Sequence, residues 1–306
     1  MAERFKAHAW NACIGETLSW VRIPLSPPKQ DIFMGFKKIL TSIKYRVRNF
    51  TETPLQNLYD QIADQPPNQK ITPIVHQTWF QNKFGKTHLN SLKTFRSLNK
   101  NLNFKIYTDK DVSQYMEKYW SNSEIFSIFN NCIFGPLKSD IFRYCILFDQ
   151  GGYYFDISRA CKIPLTNLHD KDDHMILTYE DTNCFLPPEN HSIYDLKRPF
   201  NHMLQWGLAF ESKHIFLKLL IDEIISIYPN FKNKIFENPK LAILNFTGPG
   251  MYTYVMRKYI PTYGLKGISE LDIKFNNEGI FKIEGSQFRY QQKQSYTYLK
   301  DKKICN

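Results

Sequence analysis

Two consecutive glycines, Gly151 and Gly152, stand between an apolar helix-forming segment and a short β-prone segment. We predict the helix over residues 136–148, with proline in its first turn and glycine just past its end, which are favoured positions for both residue types. The strand that follows covers residues 153–155 and leads into Asp156. A helix that turns sharply into a strand is typical of α/β folds, whose ligands bind at the carboxyl ends of the strands. The corner therefore predicts an α/β domain with Asp156 at its ligand-binding edge.

The rest of the chain alternates between the same two kinds of segment, as expected of one α/β domain. Hydrophobic residues make up 42% and charged residues 23% of the 306 residues, a globular composition in a chain long enough to bury a sizeable core. We predict a single domain over residues 70–298. Further strands are predicted at residues 74–75, 104–107, 175–179 and 204–210, and further helices at residues 89–98, 109–120, 213–228 and 250–259.

The segments outside this domain have different compositions. Residues 1–33 show neither helical nor strand periodicity, and we expect either a disordered extension or a stretch translated in error from an upstream transfer RNA gene, with the true start at Met34. Residues 34–50 place apolar side chains at helical spacing beside lysine and arginine. This pattern predicts a basic amphipathic helix that lies on an anionic membrane or packs on the domain. Residues 51–69 are polar and predict a linker, and residues 299–306 predict a tail.

The chain is basic, with a formal net charge of +11, and such a surface favours phosphate groups, anionic lipid or nucleic acid. The basic residues are mostly spread out and no nucleic-acid-binding motif stands out, so we expect no nucleic acid partner. The six cysteines form no C-x-x-C pair, which favours reduced thiols in a cytoplasmic protein, peripheral on the inner face of the membrane if residues 34–50 bind lipid. We expect no transmembrane helix and no signal peptide.

Asp140 and Arg143 lie three positions apart in the predicted helix and therefore share one face. Beside an apolar stripe, such a pair forms either a structural ion pair or a carboxylate and a guanidinium presented to a polar ligand. Asp156 could bind a divalent cation that bridges a diphosphate, or accept hydrogen bonds from ribose or sugar hydroxyls. Together the three residues predict one pocket for an anionic ligand rich in hydroxyl groups.

The block KSDIFRYCILFDQGGYYFDIS, residues 138–158, resembles the donor-site signature of the DxD-containing glycosyltransferases related to glycosyltransferase family 32. That group includes yeast mannosyltransferases and bacterial capsule or lipopolysaccharide enzymes and, more distantly, the glucosylating clostridial toxins. PIVHQTW, residues 73–79, is similar to the family's opening strand, and NFTGPG, residues 245–250, to its T-G-P turn. The three matches occur in the family's order. The resemblance implies a GT-A-type, Rossmann-like catalytic domain with a mixed central sheet, here preceded by a helical extension.

The resemblance also implies roles for individual residues. Asp140 and Arg143 would hold hydroxyls of the donor sugar and a donor phosphate oxygen, and Asp156 would contact the ribose or sugar and the metal. Trp79 would stack on the nucleotide base, with a core tryptophan at a strand end as the alternative. For His76, a structural role is an equal alternative. The other residues implied in donor binding are Val75, Gln77, Ser139, Gly152, Tyr154 and Lys293.

The sequence departs from the family pattern where the second acid of the DxD motif is expected. Ser158 stands there, and its neutral hydroxyl is a weaker ligand for Mn²⁺ or Mg²⁺ than a carboxylate. Residues 290–298 also lack the histidine and tryptophan that family members supply late in the chain, and Lys293 would replace part of the missing positive charge. Weaker metal dependence, an unusual ligand set and lost activity are all consistent with these departures.

The resemblance predicts an enzyme that moves a sugar from a UDP- or GDP-sugar to an acceptor hydroxyl, with retention at the anomeric carbon. We expect the metal, Mn²⁺ or Mg²⁺, to bind at Asp156 and Ser158, and the acceptor to be a glycan, a glycolipid or a protein. The expected setting is the synthesis of surface polysaccharide or glycolipid. The alternatives are a toxin-like enzyme that glycosylates protein, a degenerate protein that binds sugar or nucleotide without turnover, and a nucleic-acid-binding protein.

Overall fold

The structure is a computed structural model that describes residues 52–184, 194–287 and 299–306. The predictions for residues 1–33, for the basic amphipathic helix over residues 34–50 and for Lys293 concern residues outside these ranges. Within the described ranges, no helix is long and apolar enough to cross a lipid bilayer.

A seven-stranded mixed sheet forms the centre of the described part of the molecule. It comprises β1 (Ile74–Thr78), β2 (Asn103–Tyr107), β3 (Gly152–Phe155), β5 (Met175–Asn183), β6 (Asn201–Met203), β7 (Gly207–Phe210) and β9 (Ile268–Asp272). The spatial order is β2-β1-β3-β7-β5-β6, and β9 also pairs with β5. β1 is parallel to β2 and β3, whereas β7 is antiparallel to β3 and β5. The predicted α/β class with a mixed central sheet is confirmed.

Helices pack on both faces of this sheet. They are α1 (Lys86–Leu98), α2 (Asp109–Trp120), α3 (Glu124–Asn131), α4 (Gly135–Gln150), α5 (Ile215–Ile227), α6 (Pro239–Phe246) and α7 (Pro249–Tyr263). α2 begins where the sequence predicts because Thr108 caps it. The Asp111 backbone N donates to Thr108 Oγ1 at 3.3 Å, and the Thr108 backbone N donates to the Asp111 carboxylate at 2.9 Å. α3 and α6 are not predicted from the sequence, because eight residues give too few turns to show a helical period.

Of the strand predicted over residues 204–210, only the second part forms, as β7. β6 ends at Met203 and β7 begins at Gly207, and the three residues between them leave the regular ladder. The Leu204 backbone N donates to the Thr178 carbonyl at 2.9 Å. The break turns the Gln205 side chain inward, where its amide finds polar partners. The sequence does not predict this break, because the partners of Gln205 lie far away in the chain.

The buried residues form one cluster on each face of the sheet. Alternate residues of β3 face opposite sides, so Tyr154 joins the cluster built with α4, α5 and α7, while Tyr153 and Phe155 join the cluster built with α1. All four residues of β3 are buried. The packing on both sides fixes this strand, and with it the position of the residue that follows, Asp156.

The described residues of the predicted linker and tail pack on the domain. Gln61 exchanges two backbone hydrogen bonds of 2.9 Å with Phe104 of β2, and Leu58 is buried. At the other end of the chain, β11 (Lys302–Lys303) pairs with β8 (Ile235–Phe236), as β10 (Gly279–Ile280) does with β4 (Ala160–Cys161). The structured unit is thus larger than the predicted span of residues 70–298. Composition does not reveal such segments, since backbone pairing at a sheet edge requires no apolar period.

Candidate active site

The Gly151-Gly152 corner brings the end of α4 directly against β1. Gly151 closes the helix, its backbone N donating to the Leu147 carbonyl at 2.8 Å, and both glycines have positive φ, 65° and 95°. A Cβ on Gly152 would lie 2.5 Å from the Ile74 carbonyl oxygen. No other residue type therefore fits without displacing β1. The corner lets β3 join β1 at once and carries Asp156 to the carboxyl end of the sheet.

Arg143 lies between the two predicted carboxylates. Its Nη2 is 3.0 Å from Asp156 Oδ1 and 3.1 Å from Asp140 Oδ1. Its Nη1 donates to the Gln205 carbonyl at 2.9 Å. The side chains of Asp140 and Arg143 are almost fully buried, whereas that of Asp156 is 33% exposed. The buried pair of Asp140 and Arg143 on α4 thus fixes the network in place, and Asp156 is its solvent-exposed end.

Asp140 is held by donors that sequence reasoning did not identify. Gln205 Nε2 donates to Asp140 Oδ1 at 3.1 Å, and Thr247 Oγ1 donates to Oδ2 at 2.9 Å. The Gln205 amide also donates to the Tyr144 hydroxyl, which in turn donates to the Thr247 carbonyl at 2.6 Å. Thr247 belongs to the T-G-P turn, which the sequence analysis identified, but its contact with Asp140 could not be predicted from the motif. No sequence motif pointed to Gln205.

Burial and charge act in opposite directions on the two buried groups. Burial raises the pKa of Asp140 to about 6, although Arg143 and the Thr247 hydroxyl favour its ionised form. Burial alone would lower the pKa of the Arg143 guanidinium, but Asp156, Tyr154 and Asp140 outweigh it and hold that pKa above its ordinary value. Arg143 therefore stays charged, while Asp140 titrates close to neutral pH.

The aromatic ring of Tyr154 packs against the guanidinium of Arg143. The Arg143 Cζ lies 4.6 Å from the centroid of the Tyr154 ring, and the Tyr154 hydroxyl shares a 2.8 Å hydrogen bond with Thr78 Oγ1. Since Thr78 ends β1 and Tyr154 lies in β3, the contact ties the guanidinium to two neighbouring parallel strands. The plane of Arg143 is fixed before any ligand binds.

A cavity of about 560 Å³ opens beside this network. Trp79, at the end of β1, lines it together with Asp140, Arg143 and Asp156. The predicted residues Ser139, Tyr154 and Ser158 also line it. The other lining residues are Thr78, Phe80, Asp109, Ile133, Phe134, Gly135, Pro136, Ile157, Gln205, Ile243, Leu244 and Pro249. One space therefore joins the tryptophan, the ion network and the Asp156-Ile157-Ser158 segment.

Four predicted donor-binding residues, Val75, His76, Gln77 and Gly152, do not line this cavity. All four are buried in or beside the sheet. His76 Nε2 donates to the Gly151 carbonyl at 3.1 Å, which leaves Nδ1 to accept from the Tyr107 hydroxyl at 3.1 Å. Burial lowers the pKa of His76 to about 4 and keeps it neutral. The structure places these residues in the buried strands β1 and β3, behind the cavity wall.

The residues present fit a divalent cation only as a partial ligand set. Asp156 supplies one partly exposed carboxylate and Ser158 a hydroxyl, which also accepts from Arg159 Nη1 at 3.0 Å. In the described residues, no group of three His, Cys, Asp or Glu side chains is placed to hold a metal. Mg²⁺ is commonly held by one or two carboxylates together with substrate phosphates and water, so this ligand set suits a cation that arrives with a phosphorylated ligand.

Comparison with known sequences agrees with the resemblance to glycosyltransferases. A family model described as the glycosyltransferase sugar-binding region containing DXD motif matches residues 75–175, the segment that carries Trp79 and the ion network. Over that segment the chain is similar to this glycosyltransferase family. Within that segment the triplet that resembles the DXD motif is Asp156-Ile157-Ser158, which has a hydroxyl where the motif has its second acid. The sheet, with parallel β2, β1 and β3 followed by antiparallel β7, has the Rossmann-like GT-A arrangement predicted from the sequence.

The glycosyltransferases most similar to this chain include two yeast enzymes. Initiation-specific alpha-1,6-mannosyltransferase of Candida albicans is 25% identical over 225 residues, which cover 66% of this chain and 57% of the relative. Inositol phosphoceramide mannosyltransferase 1 of Schizosaccharomyces pombe is 23% identical over 211 residues, 68% of this chain and 58% of the relative. The chain therefore spans less than two thirds of the length of these curated relatives.

A solved structure titled PaToxG Glycosyltransferase aligns with 78% of this chain and 83% of its own, at 16% identity and a TM-score of 0.46. A TM-score below 0.5 adds no argument about function. The resemblance to glycosyltransferases rests on the sequence match and on the residues that it covers.

Proposed function

We propose that this chain transfers a hexosyl group from a nucleoside diphosphate sugar to an acceptor hydroxyl. The observation that carries the proposal is the Asp140–Arg143–Asp156 network on the wall of a cavity that also holds Trp79. An aromatic ring suits a nucleotide base, a guanidinium suits phosphate oxygens, and carboxylates suit sugar hydroxyls. Because both relatives are named mannosyltransferases, a mannosyl donor is the first to test.

In the proposed complex, Asp140 and Arg143 orient the donor and do not move. Two guanidinium nitrogens of Arg143 already bind the Gln205 carbonyl and the carboxylates, and its Nε has no partner among the described residues. A group fixed in this way stabilises charge on a leaving diphosphate without reorganising, which is the main electrostatic contribution to catalysis. Asp156, the exposed end of the network, would meet the ribose or the sugar.

A divalent cation bound with the donor would offset the negative charge that develops on the leaving diphosphate. Asp156 and Ser158 are the residues that would hold it. Because Ser158 contributes a neutral ligand, we expect Mn²⁺ or Mg²⁺ to bind weakly to the free protein and more tightly when the donor phosphates complete the coordination.

The proposal extends to stereochemistry and setting. Retention at the anomeric carbon follows the family resemblance, and we assign no protein nucleophile. A glycan or glycolipid acceptor in surface polysaccharide or glycolipid synthesis is consistent with the names of the two yeast relatives. A protein acceptor is the alternative that an acceptor screen would distinguish.

The test is sugar release from a panel of UDP- and GDP-sugars, with and without Mn²⁺. We expect turnover with at least one donor, and a loss of at least about 100-fold for Asp156→Ala, because removal of one preorganised charge in an active site has effects of this size. Asp222→Ala is the matched control, since Asp222 is an exposed carboxylate paired with Lys218 on α5. Equal losses in both variants would contradict the proposal.

A non-catalytic binding protein is the second candidate, and Ser158 is the observation that favours it. Calorimetric titration separates the two functions. Donor binding without turnover, under conditions in which every donor of the panel has been tried with Mn²⁺, would indicate a binding protein. In that case Asp156→Ala should weaken binding and have no activity to lose.

A further inference from the structure

Two cysteines far apart in the sequence meet at the end of the chain. Cys132 follows α3, and Cys305 is the penultimate residue, 173 positions later. Their backbones run antiparallel: the Ile133 N donates to the Ile304 carbonyl and the Asn306 N to the Asn131 carbonyl, both at 3.0 Å. The two Sγ atoms are 4.0 Å apart.

The hydrogen bonds on either side of the two cysteines define the geometry of the pair. When the neighbours of two facing residues exchange the hydrogen bonds, the residues form a non-hydrogen-bonded antiparallel pair, whose Cα atoms lie about 4.5 Å apart. Disulfides form at Cα separations of about 4.4–6.8 Å. A bond between Cys132 and Cys305 therefore requires side-chain rotation and no movement of either backbone.

We propose that Cys132 and Cys305 form a disulfide under oxidising conditions and so lock the segment around Cys305 onto the wall of the cavity. The residues just after Cys132, from Ile133 to Pro136, line that cavity. The locked pair would hold this wall against the terminal residues. The proposal is independent of the glycosyltransferase reaction.

The oxidation requires an external disulfide, such as glutathione disulfide. The thiolate of one cysteine attacks it to give a mixed disulfide and releases one thiol. The second cysteine loses its proton, attacks the mixed disulfide and releases the other thiol. The two cysteines together give up two electrons and two protons, and the oxidant leaves as two thiols.

The surroundings indicate when the bond can form. Both cysteines are buried, and the hydrogen bond with Cys305, followed by burial, raises the pKa of the Cys132 thiol. In the folded, reduced protein Cys132 is therefore a poor nucleophile. The bond forms as the terminal segment joins the domain, and once formed it is shielded from reductants.

The pairing can be read directly by peptide mapping. The full chain is refolded with glutathione disulfide or with dithiothreitol, alkylated in denaturant and digested. We expect one cross-linked pair containing Cys132 and Cys305 in the oxidised sample only. The thiols of Cys145, Cys161 and Cys184, which are free and buried in the structure, should be alkylated in both samples.

Thermal unfolding supplies a second readout that depends on the native fold. A bond that closes so long a loop should raise the Tm of the oxidised protein by about 5–10 °C over the reduced protein. Cys305→Ser should abolish both the cross-link and the difference in Tm, while the control Cys161→Ser should keep both. Alkylation of both cysteines after oxidation, a cross-link to any other cysteine, or a cross-link without a change in Tm would overturn the proposal.

Discussion

Arg143 has more polar contacts than its place in a hydrophobic helix would suggest. One guanidinium contacts two carboxylates, one carbonyl and the face of Tyr154. Lysine offers a point charge without the planar fork, so it cannot satisfy these partners together. The identity of this side chain, beyond its charge, determines the geometry of the site.

We expect Arg143→Lys to lower the free energy of unfolding by about 2 kcal/mol, because it removes a buried, charge-assisted hydrogen bond, and to reduce kcat/KM at least about 100-fold. Arg198→Lys is the control, since Arg198 pairs with Asp272 at an exposed site. Denaturant unfolding and donor turnover measure the two effects. Similar losses of stability in the two variants would show that burial of the network does not determine the cost of replacing its arginine.

The raised pKa of Asp140 predicts how the stability of the fold changes with pH. Its pKa is raised from 3.8 to about 6, so between these values the folded state holds the proton more tightly than the unfolded state. The carboxyl group therefore reduces the stability of the native state as pH rises from about 4 to about 6. Relative to wild type, Asp140→Asn should gain about 2–3 kcal/mol across this window, measured by urea unfolding at several pH values. Parallel stability curves for the two proteins would contradict the assignment.

Local sequence was sufficient to place Asp140, Arg143 and Asp156 together, because one helix and one corner set their spacing. The supporting donors could not be found in this way. Gln205 and Thr247 lie 65 and 107 residues from Asp140, and only the folded chain shows that their hydrogen atoms point at its carboxylate. The same holds for the lining residue Asp109, whose helix was predicted while its position at the cavity was not.

At the scale of elements, Gly152 in the corner between α4 and β3 must adopt a positive φ and must also leave room for Ile74. Gly152→Ala should destabilise the fold by about 3 kcal/mol or more, from its positive φ and from contact with Ile74. Gly264→Ala is a matched control that isolates the backbone effect: its φ is 74°, but nothing lies within 4 Å of a new Cβ, so about 1 kcal/mol is expected. Thermal unfolding of both variants gives the comparison, and equal losses would exclude the steric part.

A histidine pair joins β5 to α5. The Phe216 backbone N donates to His214 Nδ1, so His214 Nε2 carries its proton and donates to His174 Nδ1 at 2.8 Å. His174 Nε2 in turn donates to the Lys266 carbonyl at 2.8 Å. This chain of donors holds only while both rings are neutral. Burial, and then the neighbouring His174, lower the pKa of His214 to about 3.

The unfolded chain takes up a proton at His214 near its ordinary value of 6.5, and the folded chain does not until about pH 3. Stability should therefore fall by about 1.4 kcal/mol per pH unit below about pH 6 from this residue alone. His214→Gln should flatten that part of the curve. The experiment is chemical unfolding between pH 4 and 7, and an unchanged slope in the variant would exclude this origin.

At the scale of the whole molecule, the described part of the chain extends past the span predicted for the domain at both ends. Deleting residues 299–306 removes Ile304 and Cys305 from the core, which should lower the free energy of unfolding by roughly 4 kcal/mol. Lys302→Ser, an exposed change in the same segment, should be nearly neutral. Calorimetry on both proteins measures the difference, and an unchanged Tm after the deletion would show that the segment is a tail after all.

The peptide map that tests the Cys132–Cys305 pair also tests whether the protein resides in a reducing or an oxidising compartment. Reduced thiols in a cytoplasmic protein are the expectation from cysteine spacing, and material isolated from its native cells would carry either free thiols or the bond. Cysteine spacing in the sequence could not reveal this pair, since the fold brings together residues 173 positions apart.

The order in which a ribosome delivers the chain has a consequence for this pocket. Asp140 and Arg143 emerge long before Gln205, and longer still before Thr247, so a nascent chain carries its charged helix without the groups that will satisfy it. Burial of that helix is unfavourable until those donors arrive. Maturation of the pocket and completion of the fold should therefore be one late event, and fragments that stop short of Thr247 should be substrates for chaperones and proteases and not partly active enzymes.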